Sequence, residues 1–527
     1  MKKLLINAAL LMLLVGTFSS CKKKLEDNYL NPELTADGSL GKLFSGMFMN
    51  KRIHPSYWDY YTFIMPTTAA FSQLSSLSPG NQMYVPNTSY TEGRWTDFYN
   101  GSLGTDYNYS GPGILNNYRE MQLSIGSLTP TEQQQQKAYL KCAQVLVYDQ
   151  ASQMIDLWGD IPFTKASSLN TADRTVKPAP FDDAAALYDT LITGLKELNT
   201  YFDTATLAPT TASGLAKADL MYFGDLSKWQ RYANSLRLRL LMRISNVSES
   251  KAQTEITAML ADAATYPLIE DNSQNALFKM SPTAVRSDLY DVFRDFGYAP
   301  AYLMDTLMVQ NSDPRTAVYW DADANNGYKG VPYNVTSTEY GAGGFATYDS
   351  ATFYYNNNIP DVIFTASEVS FLKAEAGERW GVGSAQSSYE NAIYQSVAFY
   401  YGINQSKIAR DNPPTKWDTL HVPSSATIAA FLLKTPIAYS GTSTEKLAKI
   451  YTQKWVHFGI LETGQAWAEL RRTDYPVLQF ATSSNGNASA PPVRLLYPST
   501  ETLYNTVNYN AVAAKDKRDT KIFWDVK

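Results

Sequence analysis

Reactive side chains are scarce in this chain. Its 527 residues include only two cysteines, Cys21 and Cys142, and three histidines, His54, His421 and His457. No two histidines share metal-ligand spacing, and HExxH is missing. Neither a GxSxG elbow nor a Walker-type phosphate loop occurs. These gaps disfavour the common nucleophilic, zinc and phosphoryl-transfer chemistries, so the chain reads as no enzyme, with no cofactor and no metal. A glycosidase needs only two carboxylates brought together in space, which spacing does not test. Basic charge is short as well: 45 Lys and Arg face 50 Asp and Glu, for a formal net charge of −5. That balance argues against nucleic acid, whose phosphates need clustered cations. One calcium-like loop, Asp321-Ala322-Asp323-Ala324-Asn325-Asn326-Gly327, puts Asn326 where an EF-hand needs Gly and lacks the bidentate Glu. It reads as a polar surface loop.

The first residues are more telling. Met1-Lys2-Lys3 is basic, Leu4 to Val15 is apolar, and Gly16 to Ser20 is small and weakly polar before Cys21. This is an export signal, too short to span a bilayer, which needs roughly 20 apolar residues. Ending on cysteine, it resembles a bacterial lipoprotein signal, with residues 1–20 removed and Cys21 acylated; Phe18 stands where such signals more often carry Leu. Each buried methylene contributes about 0.8 kcal/mol, so two or three chains on one cysteine make release very slow. Lys22, Lys23 and Lys24 follow the anchor, and residues 21–40 read as a flexible leash. With Cys21 taken, Cys142 has no disulfide partner. It lies in an apolar helical stripe, as a buried inert thiol would.

Residues 41–527 read as one mainly α body. Apolar residues recur at helical spacing over Glu132–Trp158, Phe181–Phe202 and Leu226–Ile244, and a shorter helix carries Ile256, Met259, Leu260 and Ala263. Ala366–Trp380, the break Gly381-Val382-Gly383 and a second helix from Ala385 make a helical pair. Small residues Ala374, Ala376 and Ala392 permit close approach. The pair resembles a tetratricopeptide unit, though no strict 34-residue period runs through the chain. A last helical region spans Lys446–Arg472. Tyr57–Asn117, Ser281–Pro360 and Thr473–Pro498 lack periodicity and are rich in Gly, Asn, Ser, Thr, Pro and Tyr. Loops of such length are usually functional or disordered, and their aromatics argue against disorder. The expected architecture is a TPR-like helical-pair scaffold with long, aromatic-rich excursions on one side.

Several local motifs then carry a family resemblance. They are Leu157-Trp158-Gly159-Asp160-Ile161-Pro162, Leu226-Ser227-Lys228-Trp229 leading into Ala233-Asn234-Ser235-Leu236-Arg237, Asp313-Pro314-Arg315, and Glu368 to Ala376. Further on come Gln453-Lys454-Trp455, Ala466-Trp467, Arg471 to Pro476, Arg494, Tyr497-Pro498, Glu501, Asn505 and Phe523-Trp524. In this order behind a lipoprotein cysteine, the chain resembles the SusD/RagB family of outer-membrane lipoproteins. The motif residues themselves read as structure. Trp158, Trp229, Trp455 and Trp467 sit on apolar stripes, Gly159 supplies a helix C-terminal turn, and Arg471 and Arg472 bond helix carbonyls or buried carboxylates.

The resemblance implies a nutrient-capture protein at the outer membrane, lipid-anchored and facing outward. It would bind an oligosaccharide or a peptide and pass it to a SusC-like TonB-dependent transporter. The three lysines after Cys21 depart from the acidic residues that often follow the cysteine in exported members. Aromatics, 13% of the chain with 37 Tyr, suit such a role, because a flat ring lies against a sugar's C–H face while its polar tip bonds hydroxyls. The ligand candidates therefore lie in the excursions: Tyr57, Trp58, Tyr84, Trp320, Tyr328 and Tyr333, with Trp320 foremost. Two readings compete with these: Tyr57, Trp58, Tyr60 and Tyr61 pinning a loop to the scaffold, and a TPR-like protein-interaction scaffold with no small ligand.

Overall fold

A computed structural model describes residues 39–79, 84–101, 112–171, 175, 177–279, 289–409, 417–481 and 490–527. The signal, Cys21 and the leash as far as residue 38 lie outside the described residues. Helix α1 (Leu40–Phe48) opens the body and buries Phe44, Met47 and Phe48. It is followed by a wide helical segment, Tyr60–Ala69, then α2 (Thr88–Tyr99), α3 (Ile114–Gly126), α4 (Pro130–Trp158), α5 (Ala184–Thr204), α6 (Leu226–Arg243) and α7 (Glu249–Ala261). The second half contributes α8 (Ala366–Trp380), α9 (Ala385–Gln405), α10 (Ser443–Phe458) and α11 (Thr463–Thr473). The fold is mainly helical. Its strands are short: β1 (Ala276–Phe278), β2 (Trp320–Asp321), β3 (Thr347–Tyr348) and β4 (Asp361–Phe364), paired antiparallel as β1 with β4 and β2 with β3.

Local chemistry explains the helix boundaries. Thr129 and Glu132 form a capping box at the start of α4, with Pro130 in the first turn; such a cap is worth about 1 kcal/mol. Gly159 ends α4 with φ +81°, and Trp158 is fully buried. Helices α8 and α9 pack as the expected pair. A Cβ on Gly377 would lie 2.8 Å from the Ala385 Cβ, so the missing side chain sets how closely they approach. One contiguous core runs from Leu40 to Trp524 and includes Cys142, whose thiol burial pushes up well above its ordinary pKa.

Buried charge ties the helices together. Arg239 of α6 donates to both carboxylate oxygens of Glu368 in α8, at 2.6 and 2.5 Å, and to Asp149 of α4 at 3.3 Å. Arg472 of α11 donates to both oxygens of Glu375 in α8 at 2.7 Å and to Glu469, which also takes the Lys454 ammonium of α10. Arg471 donates to the Trp467 and Val493 carbonyls. Arg315 donates to both oxygens of Asp313 and reaches Ser396 and Gln453. Arg471 and Arg472 thus bond helix carbonyls and buried carboxylates, as the sequence reading expects.

Three expectations are refined. The helical region over Lys446–Arg472 is two helices, α10 and α11, parted at Gly459, φ +47°, where a Cβ would stand 2.8 Å from the Tyr400 Oη. Within Tyr57–Asn117 the described residues hold regular helix at Tyr60–Ala69, α2 and the start of α3. Helix α2 buries Thr91, Arg94, Trp95 and Phe98. The spacing is helical, but Thr and Arg occupy two of the inward positions, which hides the stripe from a hydropathy reading. Ser281–Pro360 likewise contains short helices at Leu289–Phe296 and Tyr302–Val309.

Candidate functional site: an aromatic-rimmed hollow

A hollow of about 470 Å³ opens where four segments meet. The chain leaving the wide helix supplies Gln73, Ser75, Ser76, Leu77, Pro79 and Tyr84; the start of Tyr302–Val309 supplies Tyr302, Asp305 and Thr306. The loop Val331–Val335 and the stretch Val477–Ala481 close the remaining sides. The walls are pinned from behind. The Ser75 Oγ donates to the Met65 carbonyl at 3.0 Å, the Ser76 Oγ to the Tyr298 carbonyl at 2.8 Å, and the Gln73 amide to the Gln479 carbonyl. Gln73 and Tyr84 both have positive φ, 52° and 59°. Left-handed backbone at non-glycine residues costs of order 1–3 kcal/mol and concentrates at functional sites.

The lining is nearly neutral. Tyr84 and Tyr302 have their pKa pushed up by burial, so both phenols keep their protons at neutral pH. Among the described lining residues Asp305 is the one carboxylate, and none is Lys, Arg or His. Burial raises the Asp305 pKa, while the Gly330 N–H, 2.9 Å from its Oδ1, and the Lys329 charge pull it back. A single carboxylate is not the opposed pair that glycoside hydrolysis uses. An adjoining hollow of about 350 Å³ shares Tyr302 and Val477 with the first and adds Glu445 and Lys449 to its own lining. Other hollows have different linings. One of about 110 Å³ is lined by the charged groups Arg52, Arg94, Asp156, Asp361 and Glu462. A wider one of about 610 Å³ has Arg119, Lys165 and Lys177 but no aromatic ring among its described lining residues.

The structure brings two of the expected ligand residues to this hollow, Tyr84 and the 44% exposed Tyr333. Trp58 and Tyr57 form a separate platform. Tyr57 stacks on Tyr61 at 5.5 Å, Trp58 on Tyr61 at 6.4 Å, and Phe296 meets Tyr61 edge-on. Trp58 stays 48% exposed while Tyr60 is buried, so the cluster both pins its segment and shows one ring to solvent. Tyr328, 40% exposed, does not line the hollow and stands near Asp321 and Asp349. The calcium-like loop closes on itself: the Asp323 Oδ1 accepts the Asn325 and Asn326 N–H groups.

Trp320 requires a correction. It is 1% exposed, lies against Tyr348 at 4.6 Å across the β2–β3 pair, and directs its Nε1 at the Met308 Sδ. No face is left for a ligand. The Asp313–Arg315 pair buries the preceding turn, and β2 then directs the indole inward. Tyr302, Gln73, Asp305 and Gln479 went unnoticed in the sequence. Tyr302 had a signal, as an aromatic beside Pro300 in an excursion; the others had none.

Residues 67–498 match a SusD-like family described as "Starch-binding associating with outer membrane". The chain belongs to that SusD-like family. No curated protein matches it. Among solved structures, a chitin-binding protein is similar at TM-score 0.72 and 24% identity, covering 92% of this chain and all of that one. A Bacteroidetes SusD-like protein gives 0.71 and 21% identity over 93% of this chain and all of its own. A SusD homologue from Bacteroides thetaiotaomicron gives 0.65 and 22% over the same shares. At these identities the structures establish the shared SusD-like fold. The family is associated with the outer membrane and with glycan binding, and among the described residues no helix is long and apolar enough to cross a membrane.

Proposed function

We propose that this SusD-like protein is anchored through acylated Cys21 at the outer membrane, facing outward. There it captures an oligosaccharide in the aromatic-rimmed hollow and passes it to a SusC-like TonB-dependent transporter, without cleaving it. The observation that carries the reading is the juxtaposition of Tyr84, Tyr302 and Tyr333 with Gln73 and one carboxylate around a hollow of about 470 Å³. Rings exclude water from a sugar's C–H face, and amide and phenol groups bond its hydroxyls. Such contacts bind weakly and release readily, which suits delivery. The family's starch-binding description and the chitin-binding neighbour support a glycan over a peptide.

Calorimetry against neutral oligosaccharides tests capture. Tyr333→Ala should weaken binding about tenfold, from the loss of one stacked ring worth about 1.4 kcal/mol, while the melting temperature stays put. Unchanged affinity would move the site elsewhere. Delivery is tested by co-purification with the transporter, and anchoring by mass spectrometry of the mature amino terminus and by release of Cys21→Ala from membranes. The protein-scaffold reading draws on one observation, the exposed Leu503, Tyr504 and Val507 on two short C-terminal helices. It predicts transporter binding together with silence toward every glycan.

A further inference from the structure

Asp305 is fixed at the wall of the hollow by the Gly330 N–H, and Gly330 is pressed against the next helix so closely that a Cβ there would lie 2.5 Å from the Ala301 Cα. The chain continues at once into Val331 and Pro332, which line the hollow with Val335. Val331, Val335 and Phe345 form a small apolar cluster of their own, apart from the main core. The Lys329 ammonium sits 5.1 Å over the Phe345 ring. A carboxylate on the Tyr302–Val309 segment and an apolar wall on the Val331–Val335 loop, joined through the Gly330 N–H, thus face one hollow whose described lining has no cation.

That juxtaposition has a chemical complement. An ionised carboxylate accepts an N–H strongly and repels acidic sugars. An apolar wall rewards a methyl group, which a plain hexose lacks. We infer that the hollow selects an oligosaccharide bearing a 2-acetamido group, whose N–H is accepted by Asp305 and whose methyl packs on Val331, Pro332 and Val335. Tyr84, Tyr302 and Tyr333 then meet the ring faces. The inference rests on the capture reading above and makes Asp305 a specificity-determining residue within it.

Three tetrasaccharides with one β-1,4-linked backbone test it by calorimetry on the whole mature protein: the N-acetylglucosamine tetramer, its fully deacetylated form and the glucose tetramer. The acetylated tetramer should bind at least tenfold more tightly than the glucose tetramer. Asp305→Asn keeps the acceptor for the Gly330 N–H but removes the charge. It should weaken the acetylated tetramer about fivefold and alter the glucose tetramer less than twofold, with an unchanged melting temperature. Equal binding of acetylated and glucose tetramers overturns the inference. Tightest binding by the deacetylated tetramer, lost in Asp305→Asn, also overturns it, because Asp305 would then be reading a cation. If none of the three binds but another neutral glycan does, and Tyr333→Ala abolishes that binding, the acetamido assignment falls and capture stands. If Tyr333→Ala leaves glycan binding intact, the hollow itself is the wrong site and both readings fall.

Discussion

Arg472 in α11 and Asp305 beside the hollow are charged groups drawn away from bulk water, with opposite surroundings. Arg472 is saturated, donating to both oxygens of Glu375 and of Glu469 among helices that leave it 1% exposed. Asp305 is half-buried with one backbone N–H at its Oδ1 and an open hollow in front. The same contrast separates two aromatics of one excursion: Trp320 packed on Tyr348, Tyr333 facing solvent at the hollow's edge. Where every polar group has a partner and every ring a neighbour, a residue maintains the scaffold. Where one face is left over, it is available to a ligand.

Four substitutions sharpen this contrast. Trp320→Ala leaves a cavity in the core and should cost about 3–5 kcal/mol. Normal stability with weakened glycan binding would instead return Trp320 to the site. Arg472→Ala removes the bidentate partner shared by the buried Glu375 and Glu469, leaving them Lys454, Arg379 and Arg243, and should cost about 3 kcal/mol in denaturant unfolding; a loss under 1 kcal/mol would show the network to be dispensable. His457 gives a smaller, pH-dependent effect. It is fully buried, bonded to Thr365 and Ser396, and burial with the Arg315 charge lowers its pKa from 6.5 to about 3. Between those values the unfolded chain binds a proton that the folded chain refuses. Stability is therefore complete above about pH 6.5 and declines as pH falls toward about 3, by roughly 1.4 kcal/mol per unit. His457→Gln should flatten that slope in unfolding midpoints taken from pH 4 to 7.5; an identical slope would assign it to other groups. Tyr328→Ala is expected to change glycan affinity less than twofold. A tenfold loss would extend the site toward Asp321 and Asp349.

Much of the scaffold was legible because its helices bury continuous stripes of apolar side chains. Ala366–Trp380 was bounded to the residue, since Thr365 caps one end and Gly381, in the left-handed region, closes the other. The Tyr60–Ala69 segment was missed, having little one-sided polarity and a Pro at position 66. Helix α2 was missed because it turns Thr91, Arg94 and Asp97 inward alongside Trp95. At the hollow, residue type pointed to Tyr84 and Tyr333. Neither Gln73 nor Asp305 differs in sequence from dozens of polar neighbours.

Composition, helical periodicity and ordered motifs were thus enough to place the chain in a helical SusD-like scaffold poor in catalytic groups, because burial stripes and helix caps are written in near-neighbour spacing. Which aromatics turn outward depended on contacts between segments from tens to hundreds of residues apart. Ser76 bonded to Tyr298, Gln73 to Gln479 and Trp320 packed on Tyr348 are pairings that only the folded chain creates. They decide whether a ring fills the core or rims a groove.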